Sequence, residues 1–208
     1  MDEQVDPVDV VRAGYDSVSW RYRRDEEPAG EYGPWLDALV ARLPGSARVL
    51  DVGCGCGVPV ARELAHSGHR VVGVDLSDVQ VARARRLVPA GEFVCGDITT
   101  LDFAESEFDA VVAFYSLIHV PVRRQPALLT SLARWLAPGG WFVATLGWSA
   151  WTGIEPDWLG GAAPMWWSHA DVGTYREWLA AAGLVIESES FVPEGDGGHS
   201  LFWARRPV

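Results

Sequence analysis

Nine residues, Val49-Leu50-Asp51-Val52-Gly53-Cys54-Gly55-Cys56-Gly57, have the types and spacing of a ligand-binding turn. An apolar run ends in an acid, and three glycines follow at alternate positions before Val58-Pro59-Val60-Ala61 can open a helix. Bare backbone in such a loop lets a ligand approach where side chains would obstruct it. A second apolar run, Arg70-Val71-Val72-Gly73-Val74-Asp75, ends in a carboxylate 18 residues beyond Gly57. One strand–loop–helix–strand unit needs about 30 residues in all, so Asp75 should end the neighbouring parallel strand. His119, His169 and His199 are the candidate acid/base groups, with Glu194 or Asp196 as a carboxylate partner.

Spacing separates the ligands such a loop could take. A pyrophosphate-binding dinucleotide loop needs G-x-G-x-x-G, its third glycine packing helix against strand. Here that glycine comes one residue early and Val58 fills its place, which argues against a nicotinamide-dependent oxidoreductase. An acid two residues ahead of G-x-G-x-G resembles instead the first motif of class I S-adenosylmethionine-dependent methyltransferases of the general small-molecule type. Four further segments resemble that family in order: the Asp75 run, Phe93-Val94-Cys95-Gly96-Asp97-Ile98, Phe108-Asp109-Ala110-Val111-Val112-Ala113-Phe114-Tyr115, and Ala137-Pro138-Gly139-Gly140-Trp141-Phe142-Val143. Together they run from about residue 48 to 148.

The resemblance implies a Rossmann-like, doubly wound α/β fold: a seven-stranded sheet, mostly parallel with an antiparallel last strand, and helices on both faces. It implies S-adenosylmethionine as cofactor and a small-molecule acceptor, in specialised metabolism or elsewhere. Asp51, Gly53 and Gly55 would hold the cofactor. Asp75 would accept the ribose hydroxyls, and Leu76 would cover the adenine. Asp97 would contact the adenine amino group, with Ile98 beside it, and Phe114 would come from the fourth motif. Tyr15 and Tyr22 resemble the aromatic pair of a cover helix, one bonding the methionine carboxylate and the other closing over the methyl. Tyr115, Trp148 and Trp166 stand as acceptor contacts. A protein that keeps this fold without methyl transfer would carry the same loops.

Methyl transfer from a sulfonium is an in-line displacement, so alignment is the protein's main task. A base is needed only where the nucleophile holds its proton too tightly. His119 follows the fourth-motif strand. His169 sits where an aromatic stretch turns into a helix that Ser168 or Asp171 could cap. His199 opens the last strand, whose reversed direction brings it to the same sheet edge. Each histidine, taken alone, fits a structural hydrogen-bonding role equally well. Tyr15, Val18 and Tyr22 share one helix face, and Arg21, Arg23 and Arg24 read as a solvated edge.

The elements that must position these groups alternate along the chain, as in a parallel sheet covered on both faces. Strands are expected at 48–53, 70–75, 92–95, 109–114, 141–147, 184–192 and 199–205. Helices are expected at 8–23, 32–43, 58–67, 78–88, 123–136 and 170–182. Pro193 to Gly198 reads as the turn of a closing hairpin. This is one domain, with a helical cover over 1–45, a cofactor-binding half over 46–148, and a substrate wall and hairpin over 149–208. Residues 148 to 169 follow neither period. They hold Trp148, Trp151, Trp158, Trp166 and Trp167 among Gly, Pro and Ala, as either a substrate wall or a local core.

Composition removes several alternatives. All 17 basic residues are arginine against 28 acids, for a net charge of −11, and the chain contains no lysine and no asparagine. So acidic a surface suits a polyanion poorly, and no nucleic-acid partner is expected. A Lys-Asp-Lys-Glu tetrad, an Asn/Asp-Pro-Pro-Tyr motif and an Asp-Asp-Asn metal site are each ruled out, so no metal is expected. No apolar run approaches the roughly 20 residues a membrane helix needs. The acidic start lacks a signal peptide's order, and a cytoplasmic protein is expected. Cys54, Cys56 and Cys95 read as small fillers near the glycine loop, or else as redox-sensitive or metalloid-binding thiols.

Overall fold

The computed structural model describes residues 6–161 and 163–208. Seven strands form the main sheet: β1 (Arg48–Val52), β2 (Arg70–Asp75), β3 (Glu92–Cys95), β4 (Phe108–Ala113), β5 (Leu136–Gly147), β8 (Val185–Glu194) and β9 (Gly197–Arg205). Their order is β3-β2-β1-β4-β5-β9-β8. Strands β1 to β5 pair in parallel, and β9 runs antiparallel to both of its neighbours. The expected doubly wound sheet with its reversed last strand is therefore present.

Alternation along the central strands sorts the core into two layers. Val49, Ala110, Val112 and Val143 point to the face covered by Leu36, Leu39, Ala61 and Leu64. Leu50, Val111 and Phe142 point to the opposite face, against Leu129, Leu132, Trp135, Tyr175 and Leu179. Those covering residues come from helices α2 (Tyr32–Val40), α3 (Val60–His66), α5 (Gln125–Trp135) and α6 (Val172–Ala181). Helix α4 (Asp78–Leu87) starts where Ser77 accepts the Gln80 N–H, and α6 starts where Asp171 accepts that of Thr174. Helix α1 (Pro7–Tyr22) begins at Asp6, whose side chain accepts the Val8 N–H, with proline at the first helical position.

Strand order reverses between β1 and β4, and a crevice opens beyond their carboxyl ends. Both chemistry-bearing segments emerge there: the glycine loop after β1 and the Phe114–His119 turn after β4.

Two expectations need correction. The aperiodic stretch is an antiparallel hairpin, β6 (Trp151–Glu155) with β7 (Met165–His169), in a sheet of its own. No residue of β6 is buried, so there is no inward face to print an alternating pattern. Its partner β7 packs on α1: a Cβ on Gly14 would lie 2.6 Å from Met165 Cε. The closing hairpin is also tighter than expected. Pairing continues to Glu194 and Gly197, which leaves Gly195-Asp196 as its turn and puts His199 inside β9 instead of at its start.

Candidate cofactor and acceptor site

A cleft of about 790 Å³ lies over the switch point. Its floor is the glycine loop, where Gly53 and Gly55 hold left-handed φ values of 72° and 52°. A Cβ on Gly53 would sit 2.2 Å from the Ser116 Cβ. Glycine there is a packing requirement as well as a conformational one.

Asp75 ends β2 facing that loop. One carboxylate oxygen accepts the Gly55 N–H at 2.8 Å and the other accepts the Ser77 N–H at 2.9 Å. Burial nonetheless pushes its pKa up to about 6. Asp51 lies deeper, 2% exposed, with one oxygen lacking any partner among the described residues. Burial first, and the Asp75 charge second, push its pKa up to about 8. It lines an adjoining cavity of about 410 Å³ with Tyr22, Arg23, Tyr32 and Gln80. Leu76, Asp97 and Ile98 line the other end of the main cleft. Asp97 is fixed by accepting both the N–H and the hydroxyl of Thr99 at 2.8 Å. Phe114 lines both cavities.

The roof is aromatic. Tyr15 and Tyr22 of α1 meet edge to face at 5.3 Å, and Trp158 lies 5.2 Å from Tyr15 and 5.6 Å from Tyr22. His119 is buried beneath them. Its Nδ1 lies 2.7 Å from the Trp166 carbonyl, which can only accept, so Nδ1 carries the proton. Nε2 then accepts from the Tyr15 hydroxyl at 3.0 Å. Burial lowers the His119 pKa to about 4 and raises that of Tyr15 well above the usual phenol value. Both stay neutral near pH 7.

Tyr115 has a left-handed φ of 53°, and its ring meets that of His199 edge to face at 5.1 Å. His199 Nε2 lies 2.9 Å from a Glu194 oxygen, a hydrogen bond that holds the Glu194 carboxyl below its ordinary pKa.

Among the residues the sequence singles out, the cleft wall brings together Tyr15, Tyr22, Gly53, Gly55, Asp75, Leu76, Asp97, Ile98, Phe114, Tyr115 and His119. Asp51 stands in the adjoining cavity, and His199 stands behind Tyr115. Others lie off the cleft wall. His169 bonds the Ser149 carbonyl at 2.6 Å. Trp148, 43% exposed, packs on Phe191. Trp166 reaches the site through its backbone carbonyl, while its indole nitrogen is buried without a partner among the described residues.

Two residues in the wall escaped the sequence reading. Arg23 is no solvated edge. Its guanidinium donates to Glu27 at 2.6 Å and to the Tyr32 hydroxyl at 3.2 Å, over the faces of Tyr22 and Tyr32. Gln80 is 1% exposed, and its amide nitrogen lacks a partner among the described residues while the side chain lines both cavities. The available signal is a glutamine in the first turn of the helix that follows the Asp75 strand.

Comparison with known proteins places this architecture. Residues 49–140 match the family model described as a methyltransferase domain. The demethylmenaquinone methyltransferase of Beutenbergia cavernae is 40% identical over 146 residues, 66% of this chain and 58% of that protein. The chain spans less than two thirds of the length of the curated relatives it matches, between 22% and 58% for three of them. In fold, it resembles the 1,6-didemethyltoxoflavin-N1-methyltransferase of Burkholderia thailandensis with a TM-score of 0.74 at 23% identity, covering 100% of this chain and 93% of that one. The [4+2]-cyclase SpnF has a similar fold at TM-score 0.72 and 22% identity, over 95% of this chain and 96% of that one. Across residues 49–140 the chain thus matches a methyltransferase domain, and its fold is that of solved methyltransferase structures.

Proposed function

We propose that this protein binds S-adenosylmethionine and transfers its methyl group to a small-molecule acceptor. The observation that carries the proposal is the pair of buried carboxylates at the switch point: Asp75 over the glycine loop, and Asp51 with an unsatisfied oxygen in the adjoining cavity. Buried acids without cationic partners among the described residues suit a ligand that brings hydroxyls and positive charge. Asp75 would take the ribose hydroxyls. Leu76 and Ile98 would enclose the adenine, and Asp97 would accept from its amino group. Gly53, Gly55 and Phe114 would allow close approach. Asp51, Tyr22 and Gln80 would hold the methionine end, with Arg23 toward its carboxylate.

The bound cofactor supplies an electrophilic methyl on a sulfonium. The protein aligns the acceptor with it and excludes water beneath the Tyr15–Tyr22–Trp158 roof. Tyr15 donates a hydrogen bond to His119, and its oxygen can accept one from a partner. A histidine with a pKa near 4 is a weak base. His119 therefore orients rather than deprotonates, which fits an acceptor whose nucleophile needs no strong base, such as an amine. If a base is used, the His199–Glu194 pair behind Tyr115 is the better candidate, because the Glu194 oxygen at 2.9 Å fixes the orientation of the imidazole.

We place the protein in the cytoplasm on its charge and its three free thiols. No helix among the described residues is long and apolar enough to cross a membrane.

Isothermal titration with S-adenosylmethionine and S-adenosylhomocysteine tests the binding. An amine-weighted acceptor library with mass detection of a 14 Da gain tests the transfer. No affinity for either compound overturns the proposal, and affinity for reduced nicotinamide instead would point to an oxidoreductase. Binding without transfer to any acceptor would favour a fold used without methyl transfer.

A further inference from the structure

We propose that Thr145 is a positioning residue for the glycine loop, acting through the backbone of Tyr115. Thr145 lies on β5 one residue beyond Ala144, which pairs with Ala113 at the end of β4. It is fully buried, and its hydroxyl accepts the Tyr115 N–H at 2.5 Å. Tyr115 is the second residue beyond β4, and it turns the chain with φ at 53°. A bulky residue in that region is strained and persists only where its surroundings hold it. The β4–β5 ladder offers no carbonyl to the Tyr115 N–H, so the threonine side chain takes over where the sheet pairing stops.

The left-handed turn has a consequence at the cofactor loop. It sets Ser116 so close to Gly53 that a Cβ there would lie 2.2 Å from the Ser116 Cβ. The Thr145 hydroxyl thus fixes Tyr115, Tyr115 fixes Ser116, and Ser116 supports the Gly53 backbone, although Thr145 does not line the cleft. On the other side the same turn seats the Tyr115 ring against His199. The effect on cofactor affinity rests on the function proposed above; the latch itself does not.

Two measurements separate the parts. Hydrogen exchange on the ligand-free protein reads the Tyr115 amide directly. It should be protected in the wild type, exposed in Thr145→Val and protected again in Thr145→Ser. Titration with S-adenosylhomocysteine should show affinity falling roughly tenfold in Thr145→Val and returning in Thr145→Ser. Glycine adopts the left-handed turn without strain. In a Tyr115→Gly background, Thr145→Val should therefore change affinity by no more than about twofold.

The latch is overturned if Thr145→Val leaves the amide protected, or if Thr145→Ser fails to restore protection. The loop-positioning role is overturned if Thr145→Val keeps wild-type affinity, or if it weakens binding equally with glycine at 115. Should Thr145→Val not fold, Thr145→Ala, which also removes the hydroxyl, is read by the same exchange and affinity measurements with the same outcomes. A wild type that shows hydroxyl-dependent protection but no affinity for S-adenosylhomocysteine keeps the latch and removes the methyltransferase reading.

Discussion

The hydroxyl of Tyr15 lies 3.0 Å from Nε2 of His119, joining the first helix to the turn after β4 across 104 residues of chain. The Trp166 carbonyl fixes the imidazole tautomer. The tyrosine proton therefore points at the histidine.

A positioning role and a basic role for His119 differ in one substitution. Glutamine can accept from Tyr15 and donate to a carbonyl but cannot take a proton. His119→Gln should hold kcat/KM within about tenfold of wild type, while His119→Phe and Tyr15→Phe both lose more. General-base removal costs about 10² to 10⁴ in rate, so a loss of that size in His119→Gln would show that the imidazole accepts a proton.

Asp51 gives the ligand-free protein a distinctive pH dependence. The unfolded chain releases this proton near 3.9, whereas the folded protein keeps it up to about 8. Across that window the unfolded state binds fewer protons, so stability falls as pH rises. Asp75 acts in the same sense, up to about 6. His119 acts oppositely, but only between its folded value of about 4 and the unfolded value near 6.5. From pH 6.5 to 8 Asp51 alone of these three remains, contributing a loss of about 2 kcal/mol. Thermal melts should show Tm declining over that range, and Asp51→Asn should flatten the decline.

Asp75→Ala removes the acceptor for both the Gly55 and Ser77 amides together with the proposed ribose contact. Charge-assisted hydrogen bonds contribute about 1.5–3 kcal/mol each, so affinity for S-adenosylhomocysteine should fall by two orders of magnitude or more. Titration calorimetry that finds unchanged affinity would reassign the ribose contact.

Gln125 is a stability determinant just outside the cleft wall. It is 1% exposed, and its amide nitrogen lies 2.7–2.9 Å from the carbonyls of Leu117, Val120 and Ser168, while the Tyr175 hydroxyl donates to its oxygen. Gln125→Leu would leave several buried polar groups unpaired. Denaturant unfolding should register a loss of about 2–4 kcal/mol.

What was legible in the sequence follows from where each signal is stored. The inner strands β1, β2 and β4 are mainly apolar runs because parallel strands are buried on both faces, and Asp51 and Asp75 stand at the ends of two of them. The β6–β7 hairpin carries no such mark, since β6 has no buried face. Arg23 looked like one of a row of surface arginines, because its placement over Tyr22 and Tyr32 depends on where α2 docks. His169 looked close to the site because it adjoins the start of α6, yet its bond to the Ser149 carbonyl ties it to the chain just before β6. Local pattern reports burial well, and it reports partners only where those partners are local.

Arg83, 3% exposed, donates to the Ser19 carbonyl and hydroxyl, the Arg23 carbonyl and Asp25. All of these lie in or just beyond the carboxyl-terminal turn of α1, whereas Val8 and Val11 of its opening turns overhang the cleft. Tyr15 on His119 and Gly14 on Met165 fasten the middle of the same helix, so the cover is held from Gly14 to its carboxyl end and the shape of the cleft is set by the folded chain before any ligand arrives.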